Sequence, residues 1–320
     1  MVGKYSIEVT SNYTRYFLTV ERNITVIQGR SATGKSELIR LLTSYETDGI
    51  SSGVIVRSDV PIHVVDSRQW EILIQSYSKC IIFIDETADF VKSEDFARLV
   101  QKNNNYFVIV NRDPLKQLSY SIEEIYGFRV SHESQKYHGA YRVYNELYHL
   151  YHLTPGSSIA PTKVITEDTN SGFTFFQKLF NEKCIAAGGK SRVVDKLDEL
   201  DSGEDVLLIV DGAAFGSEIA RVIRYLYNHQ MNCAVYAPES FEYLLLRAGF
   251  VSVSKKMLEE TYNYADSARY ISWEDFYTSV LIRESQGTVY RYSKQRLNSA
   301  YLSDASVTKV KREIPPQIKV

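Results

Sequence analysis

Gly29, Gly34, Lys35 and Ser36 fall in the order G-x-x-x-x-G-K-S, with the apolar run Ile24 to Ile27 before them and a helical pattern (Leu38, Ile39, Leu41, Leu42) after them. Glycines at those two positions let successive backbone N–H groups turn inward at the start of a helix, where the helix dipole favours an anion. The stretch Gly29, Arg30, Ser31, Ala32, Thr33, Gly34, Lys35, Ser36 is therefore expected to cradle the phosphates of a nucleoside triphosphate. The Lys35 ammonium would reach the β- and γ-phosphates and the Ser36 hydroxyl would ligate Mg²⁺. A second set of residues lies downstream, where Ile81-Ile-Phe-Ile84 ends in Asp85-Glu86. An apolar run with an acidic tip predicts a strand buried on both faces that delivers its carboxylates to one end of a parallel sheet. Asp85 would hold Mg²⁺, directly or through water, and Glu86 would polarise the water that attacks the γ-phosphate. Asn111 follows the apolar run Tyr106 to Val110. It fits a group touching the γ-phosphate or its water as well as it fits a strand cap before Asp113-Pro114. Arg112 is a weaker candidate still, because an arginine finger and a surface arginine look alike in one sequence.

Composition bounds what these groups can serve. Lys and Arg number 37 against 39 Asp and Glu, a formal charge of −2, so any surface for nucleic acid has to be local. The three cysteines, Cys80, Cys184 and Cys233, sit in or beside apolar runs without metal-ligand spacing, which predicts buried free thiols in a reducing compartment. No signal peptide is evident and no apolar run approaches the length of a membrane span, so the expectation is a cytoplasmic protein with no membrane contact. A length of 320 residues accommodates two domains.

The elements around the first set are strand-rich. Lys4 to Thr10 and Tyr16 to Glu21 alternate apolar and polar residues across a turn at Ser11–Thr14, predicting a hairpin. Gly53–Arg57 and Ile62–Val65 read as short strands and Trp70–Tyr77 as a helix. Ile125–Val130 and Tyr141–His152 alternate as strands, expected to form a small sheet closing the first domain. Strand alternation also argues against a metal site at His149 and His152. The two motifs match Walker A and Walker B, and the hairpin leading into the loop resembles the entry to ABC-type ATPase domains. The position of Asn111 resembles the sensor strand of additional-strand P-loop ATPases. The resemblance covers residues 3–112 and implies Mg²⁺-dependent ATP hydrolysis. It lacks an L-S-G-G-type signature between Lys35 and Asp85, so a nucleotide-sandwich dimer of the ABC kind is not implied.

The stretch from Leu153 to Thr162, with two prolines, a glycine and serines, predicts a linker between a domain at 1–152 and one at 163–255. Beyond it, strand-like and helix-like segments alternate, which argues for a parallel, Rossmann-like sheet. Acidic residues fall at the ends of its strands, where open α/β sheets place ligands: Glu167-Asp168, Asp211-Gly212, and Glu239 with Glu242. This order, together with Ala187-Gly188-Gly189-Lys190, resembles a Toprim domain of the OLD (overcoming lysogenization defect) nucleases, which join an ABC-like ATPase to Toprim. The resemblance covers about residues 163–253. It implies that Glu167 is a general base or metal ligand, that Asp211 is a Mg²⁺ ligand, and that Glu239 or Glu242 fills a later acidic position. The family's D-x-D-x-x-G is here Asp211-Gly212-Ala213, so the second carboxylate is missing. Either Asp211 works with one metal and help from Glu239 or Glu242, or the domain is catalytically inactive. Gly188-Gly189-Lys190-Ser191 reads more readily as a tight strand-to-helix turn than as a phosphate cradle.

Residues 256–320 are expected to add two helices around Gly287, within Trp273–Leu302, and a mobile basic tail (Lys309, Lys311, Arg312). Tyr290, Arg291, Tyr292, Lys294 and Arg296 interleave rings with cations, a composition that can stack bases and meet phosphates but reads more readily as a packed helix with a solvated face. The fold expectation is α/β, a P-loop NTPase domain followed by a Rossmann-like (Toprim-like) parallel-sheet domain. The functional expectation is an ATP- and Mg²⁺-dependent ATPase coupled to a domain that acts on or senses DNA or RNA, working as a homo-oligomer or with a protein partner. The alternative is a nucleotide-gated switch or scaffold whose second domain binds a partner without chemistry.

Overall fold

The computed structural model describes residues 1–320 except 30–33, 67, 102, 131–141, 154–157 and 202. The protein is α/β and divides into two compact units, Met1–Tyr151 with Tyr262–Ser272, and His152–Thr261 with Trp273–Val320. Among the described residues no helix is long and apolar enough to cross a membrane.

The first unit contains β1 (Tyr5–Thr10), β2 (Thr14–Val20), β3 (Ile24–Ile27), α1 (Lys35–Asp48), β4 (Ile55–Ser58), β5 (Ile62–Val64), α2 (Trp70–Ser76), β6 (Ile81–Ile84), α3 (Glu94–Val100), β7 (Tyr106–Val110), β8 (Ile125–Val130) and β9 (Arg142–His149). They form one nine-stranded sheet in the order β4-β1-β2-β9-β8-β3-β7-β6-β5. From β5 to β8 the pairing is parallel. Its central strands β3, β6 and β7 are buried at every residue, as an apolar run covered on both faces requires. The hairpin β1–β2 is antiparallel, and its inward residues Ile7, Val9, Tyr16, Leu18 and Val20 share a core with Leu38, Leu41 and Leu42 of α1. β8 and β9 do not build a separate small sheet. β9 pairs antiparallel with β8 and parallel with β2, and so joins the hairpin side of the sheet to its parallel side. The segment 262–272 is tied into this unit by polar contacts. Its Asp266 and Ser267 side chains accept from the Met1 ammonium at 2.7 and 2.9 Å, and Tyr262 accepts from the Gly3 N–H at 2.7 Å.

The second unit contains β10 (Lys163–Thr166), α4 (Ser171–Leu179), β11 (Cys184–Ala186), α5 (Val193–Asp198), β12 (Val206–Ile209), α6 (Gly216–Asn228), β13 (Cys233–Tyr236), α7 (Phe241–Arg247), α8 (Lys255–Glu259), α9 (Trp273–Glu284) and α10 (Asp304–Lys311). The βα alternation yields a four-stranded sheet, β11-β10-β12-β13, parallel throughout. The C-terminal region differs from expectation in two places. After α9 the chain turns at Gly287 and forms no helix until the 3-10 turn at Ser299–Leu302. Tyr290 is held in a ring cluster with Phe250 and Tyr301, and the Tyr292 N–H donates to Ser285 Oγ at 2.9 Å. The second helix, α10, lies in the basic region expected to be a tail. Ser303 caps it by accepting from the Ser306 N–H. Beyond α10, Ile318 bridges to Ile159.

Candidate functional sites

In the first unit the sequence-predicted groups meet at the C-terminal ends of three adjacent parallel strands. β7 lies between β3 and β6, with Ile27 opposite Val110 and Ile84 opposite Ile109. Residues one or two beyond those positions, Gly29, Asp85 and Asn111, therefore stand side by side. Gly29 and Gly34 have φ of +141° and +89°, backbone that favours glycine. Arg30, Ser31, Ala32 and Thr33 lie outside the described residues. Gly34 caps α1 without any side-chain hydrogen bond to the first turn. The N-terminus of a helix of this length is suited to an anion.

Lys35 is buried, and its Nζ donates to Gly29 O at 2.9 Å. Burial pushes its pKa down, and the nearby Glu86 carboxylate opposes that shift. Ser36, one residue into α1, is exposed. Two polar atoms at the strand ends are buried without a hydrogen-bond partner, Asp85 Oδ1 and Asn111 Nδ2. Their other atoms are in use. Thr87 Oγ1 donates to Asp85 Oδ2 at 3.3 Å, and the Arg112 N–H donates to Asn111 Oδ1 at 2.9 Å. An unmet buried polar group costs about 1–3 kcal/mol, so such atoms mark a place where an ion, water or ligand belongs. Glu86 is clasped by Arg112, whose Nε and Nη2 donate to the two carboxylate oxygens, each at 2.8 Å. This fork holds the Glu86 carboxyl below its usual range.

In the second unit a cavity of about 270 Å³ opens at the C-terminal ends of β10 and β12, lined by Glu167, Asp211 and Glu242 among others. The structure thus gathers three of the four acidic candidates. Glu239 does not line the cavity; its carbonyl accepts from the Ala213 N–H at 3.0 Å. Gly212 is required by the same close approach, since a Cβ there would meet Ala237 O at 2.8 Å. Ala213, where the resemblance calls for a carboxylate, is a buried methyl group. Asp168 serves α4, accepting from the Phe173 N–H at 2.9 Å. Lys190 Nζ donates to Ala214 O at 3.4 Å, which suits the turn reading of that glycine pair.

The cavity is also lined by residues from far along the chain that sequence reasoning did not assign to it: Glu274 of α9, and Tyr292 and Lys294 of the irregular segment after it. The segment that carries Tyr292 and Lys294 is irregular, with no periodic pattern in the sequence to mark it. Tyr292 donates through its hydroxyl to Glu242 Oε1 at 2.7 Å, and Lys294 pairs with Glu274. Asp211 Oδ1 accepts from the Phe241 N–H at 3.0 Å, and Glu167 Oε2 accepts from the Asp211 N–H at 3.3 Å. Burial, and then the Glu274 charge, pushes Glu167 up to about 7 and Asp211 well above its usual value. Burial also raises Glu242. Among the described residues no group of three or more His, Cys, Asp or Glu side chains is arranged to hold a metal ion. One oxygen each of Glu167, Asp211 and Glu242 accepts from an N–H or O–H group of the protein.

Compared with models of known protein families, the chain matches none, and no curated protein matches it.

Proposed function

We propose that the chain is a P-loop ATP hydrolase whose nucleotide site is the Gly29–Ser36 loop with Asp85, Glu86 and Asn111. The observation that carries this reading is the pair of buried, partnerless atoms Asp85 Oδ1 and Asn111 Nδ2 at the ends of β6 and β7, one strand from the loop. The interposed β7 is also what the resemblance to additional-strand ATPases implies. Ser36 and Asp85 would hold Mg²⁺, which fits the orphaned Asp85 oxygen and neutralises phosphate charge when bound. Lys35 binds and orients the β- and γ-phosphates. Asn111 offers an N–H to the γ-phosphate or its water. Glu86 takes a proton from that water as its oxygen bonds to the γ-phosphorus. The bond to the β-phosphate oxygen then breaks and ADP leaves with the electron pair. Phosphate release from ATP with Mg²⁺ tests the reading, with loss in Lys35→Ala expected and an undiminished rate in that variant fatal to it.

For the second unit we propose a Toprim-like domain that senses or binds DNA or RNA. Of the two readings of that domain, the one without cleavage is favoured by a specific observation. Glu167, Asp211 and Glu242 each accept a hydrogen bond from a protein group through one oxygen, and Ala213 supplies no carboxylate. A nucleotide-gated switch, working in the cytoplasm as a homo-oligomer or with a protein partner, follows from this reading; unpaired thiols at Cys80, Cys184 and Cys233 accord with a reducing compartment. Cleavage of DNA or RNA with Mg²⁺ or Mn²⁺, lost in Glu167→Gln, would reverse it in favour of a nuclease.

A further inference from the structure

Glu86 is the base of the proposed hydrolysis, yet each of its oxygens already accepts a hydrogen bond from Arg112. The Arg112 guanidinium holds both, in the parallel two-bond geometry that arginine forms with carboxylate or phosphate. The clasp is built to open. Arg112 is 55% exposed and stands two residues past β7, so solvent reaches the pair and screens it. Lys35 interacts electrostatically with both Glu86 and Arg112, so all three charges face one region. The partnerless Asp85 Oδ1 and Asn111 Nδ2 lie at the strand ends that carry Glu86 and Arg112. A γ-phosphate brought there offers three oxygens and more charge than a carboxylate, and so competes for the same fork.

We propose that Arg112 is a positioning residue that clasps Glu86 while no triphosphate is bound, and that it passes its fork to the γ-phosphate when one arrives. Glu86 is thereby released to accept the water proton only when there is a phosphorus to attack. A diphosphate has no γ-oxygens to take the fork and leaves Glu86 held. The inference rests on the ATP hydrolase reading and adds to it a means of telling triphosphate from diphosphate.

The test uses the full chain with Mg²⁺, measuring ATP and ADP affinity by competition against a fluorescent ADP analogue, alongside steady-state phosphate release. Arg112→Gln is expected to weaken ATP about tenfold while leaving ADP unchanged, and Arg112→Lys to restore part of the loss, because Lys offers charge without the fork. Glu86→Gln cannot form the ion pair, so it should bind ATP several-fold more tightly than wild type with ADP unaltered. This second variant reports on the clasp without disturbing Arg112. An ATP-to-ADP affinity ratio unchanged in both Arg112→Gln and Glu86→Gln overturns the clasp alone. A wild-type chain that binds neither nucleotide overturns the hydrolase reading and the clasp with it.

Discussion

Both units end parallel strands in polar residues, but the two sets are treated in opposite ways. At the ends of β6 and β7, Asp85 and Asn111 each bury an atom that no protein group meets. At the ends of β10 and β12, Glu167 and Asp211 are just as enclosed, yet the fold supplies them with an N–H each, and supplies Tyr292 to Glu242. Burial of a polar group without a partner destabilises a fold and survives where a ligand completes it. A partnered acidic cluster needs no ligand to be stable, and its raised pKa values let protons replace part of the charge. The contrast is between strand ends that leave two buried polar atoms unmet and strand ends whose carboxylates line a cavity and each accept a bond from the protein.

The largest expected effects break the first half of this contrast. Lys35→Ala should lower ATP hydrolysis by about 100-fold or more, read as phosphate release, because the charge stabilising the transferred phosphoryl group is gone. Glu86→Gln should lower kcat by about 100- to 10,000-fold while ATP binding persists, since the proton acceptor is lost and the phosphate contacts are not.

Smaller effects test the second half. Tyr292→Phe leaves a buried Glu242 oxygen without its donor and should destabilise the second unit by about 1–3 kcal/mol, read by urea denaturation. The pH dependence has a definite sign. Glu167 is raised from 4.5 to about 7, so the folded state holds its proton more tightly than the unfolded state does. The resulting stabilisation is complete below about 4.5 and is lost as pH rises through about 7. The melting temperature of the second unit should therefore fall between about pH 4.5 and about pH 7, stability declining by at most about 1.4 kcal/mol for each pH step of one, and Glu167→Gln should flatten the slope. A slope of opposite sign would show that the cluster is ionised and matched by cations. The smallest effect is expected on α1, where Arg40 pairs with Glu37 in solvent. Arg40→Ala should change stability by less than about 0.5 kcal/mol and leave hydrolysis intact.

What could be read from the sequence follows from how local each feature is. The loop, the Asp85-Glu86 tip and the strand before Asn111 are contiguous patterns, and their expected strands and helix are present at β3, α1, β6 and β7. The alternation after residue 163 likewise carried the parallel order of β10 to β13. Partner choice between distant segments was not legible. β9 pairs with β2 across a long sequence separation, which no local pattern encodes. Glu274, Tyr292 and Lys294 reach the second cavity only because α9 and the irregular segment after it fold back beside β10 and β12, where the sequence pattern had suggested a helix over 290–296. Nor could composition reveal that the carboxylates there would be met by N–H and O–H groups, since that depends on atoms a few ångströms apart.

The central claim is that the strand ends of the first unit await a triphosphate. Calorimetric titration of the full chain with a slowly hydrolysed ATP analogue and Mg²⁺ tests it most directly. Saturable one-site binding in the micromolar range, weakened about 100-fold or more in Lys35→Ala and weakened in Asp85→Ala only when Mg²⁺ is present, is the result expected. Absence of binding, or binding that Lys35→Ala leaves unchanged, would contradict it.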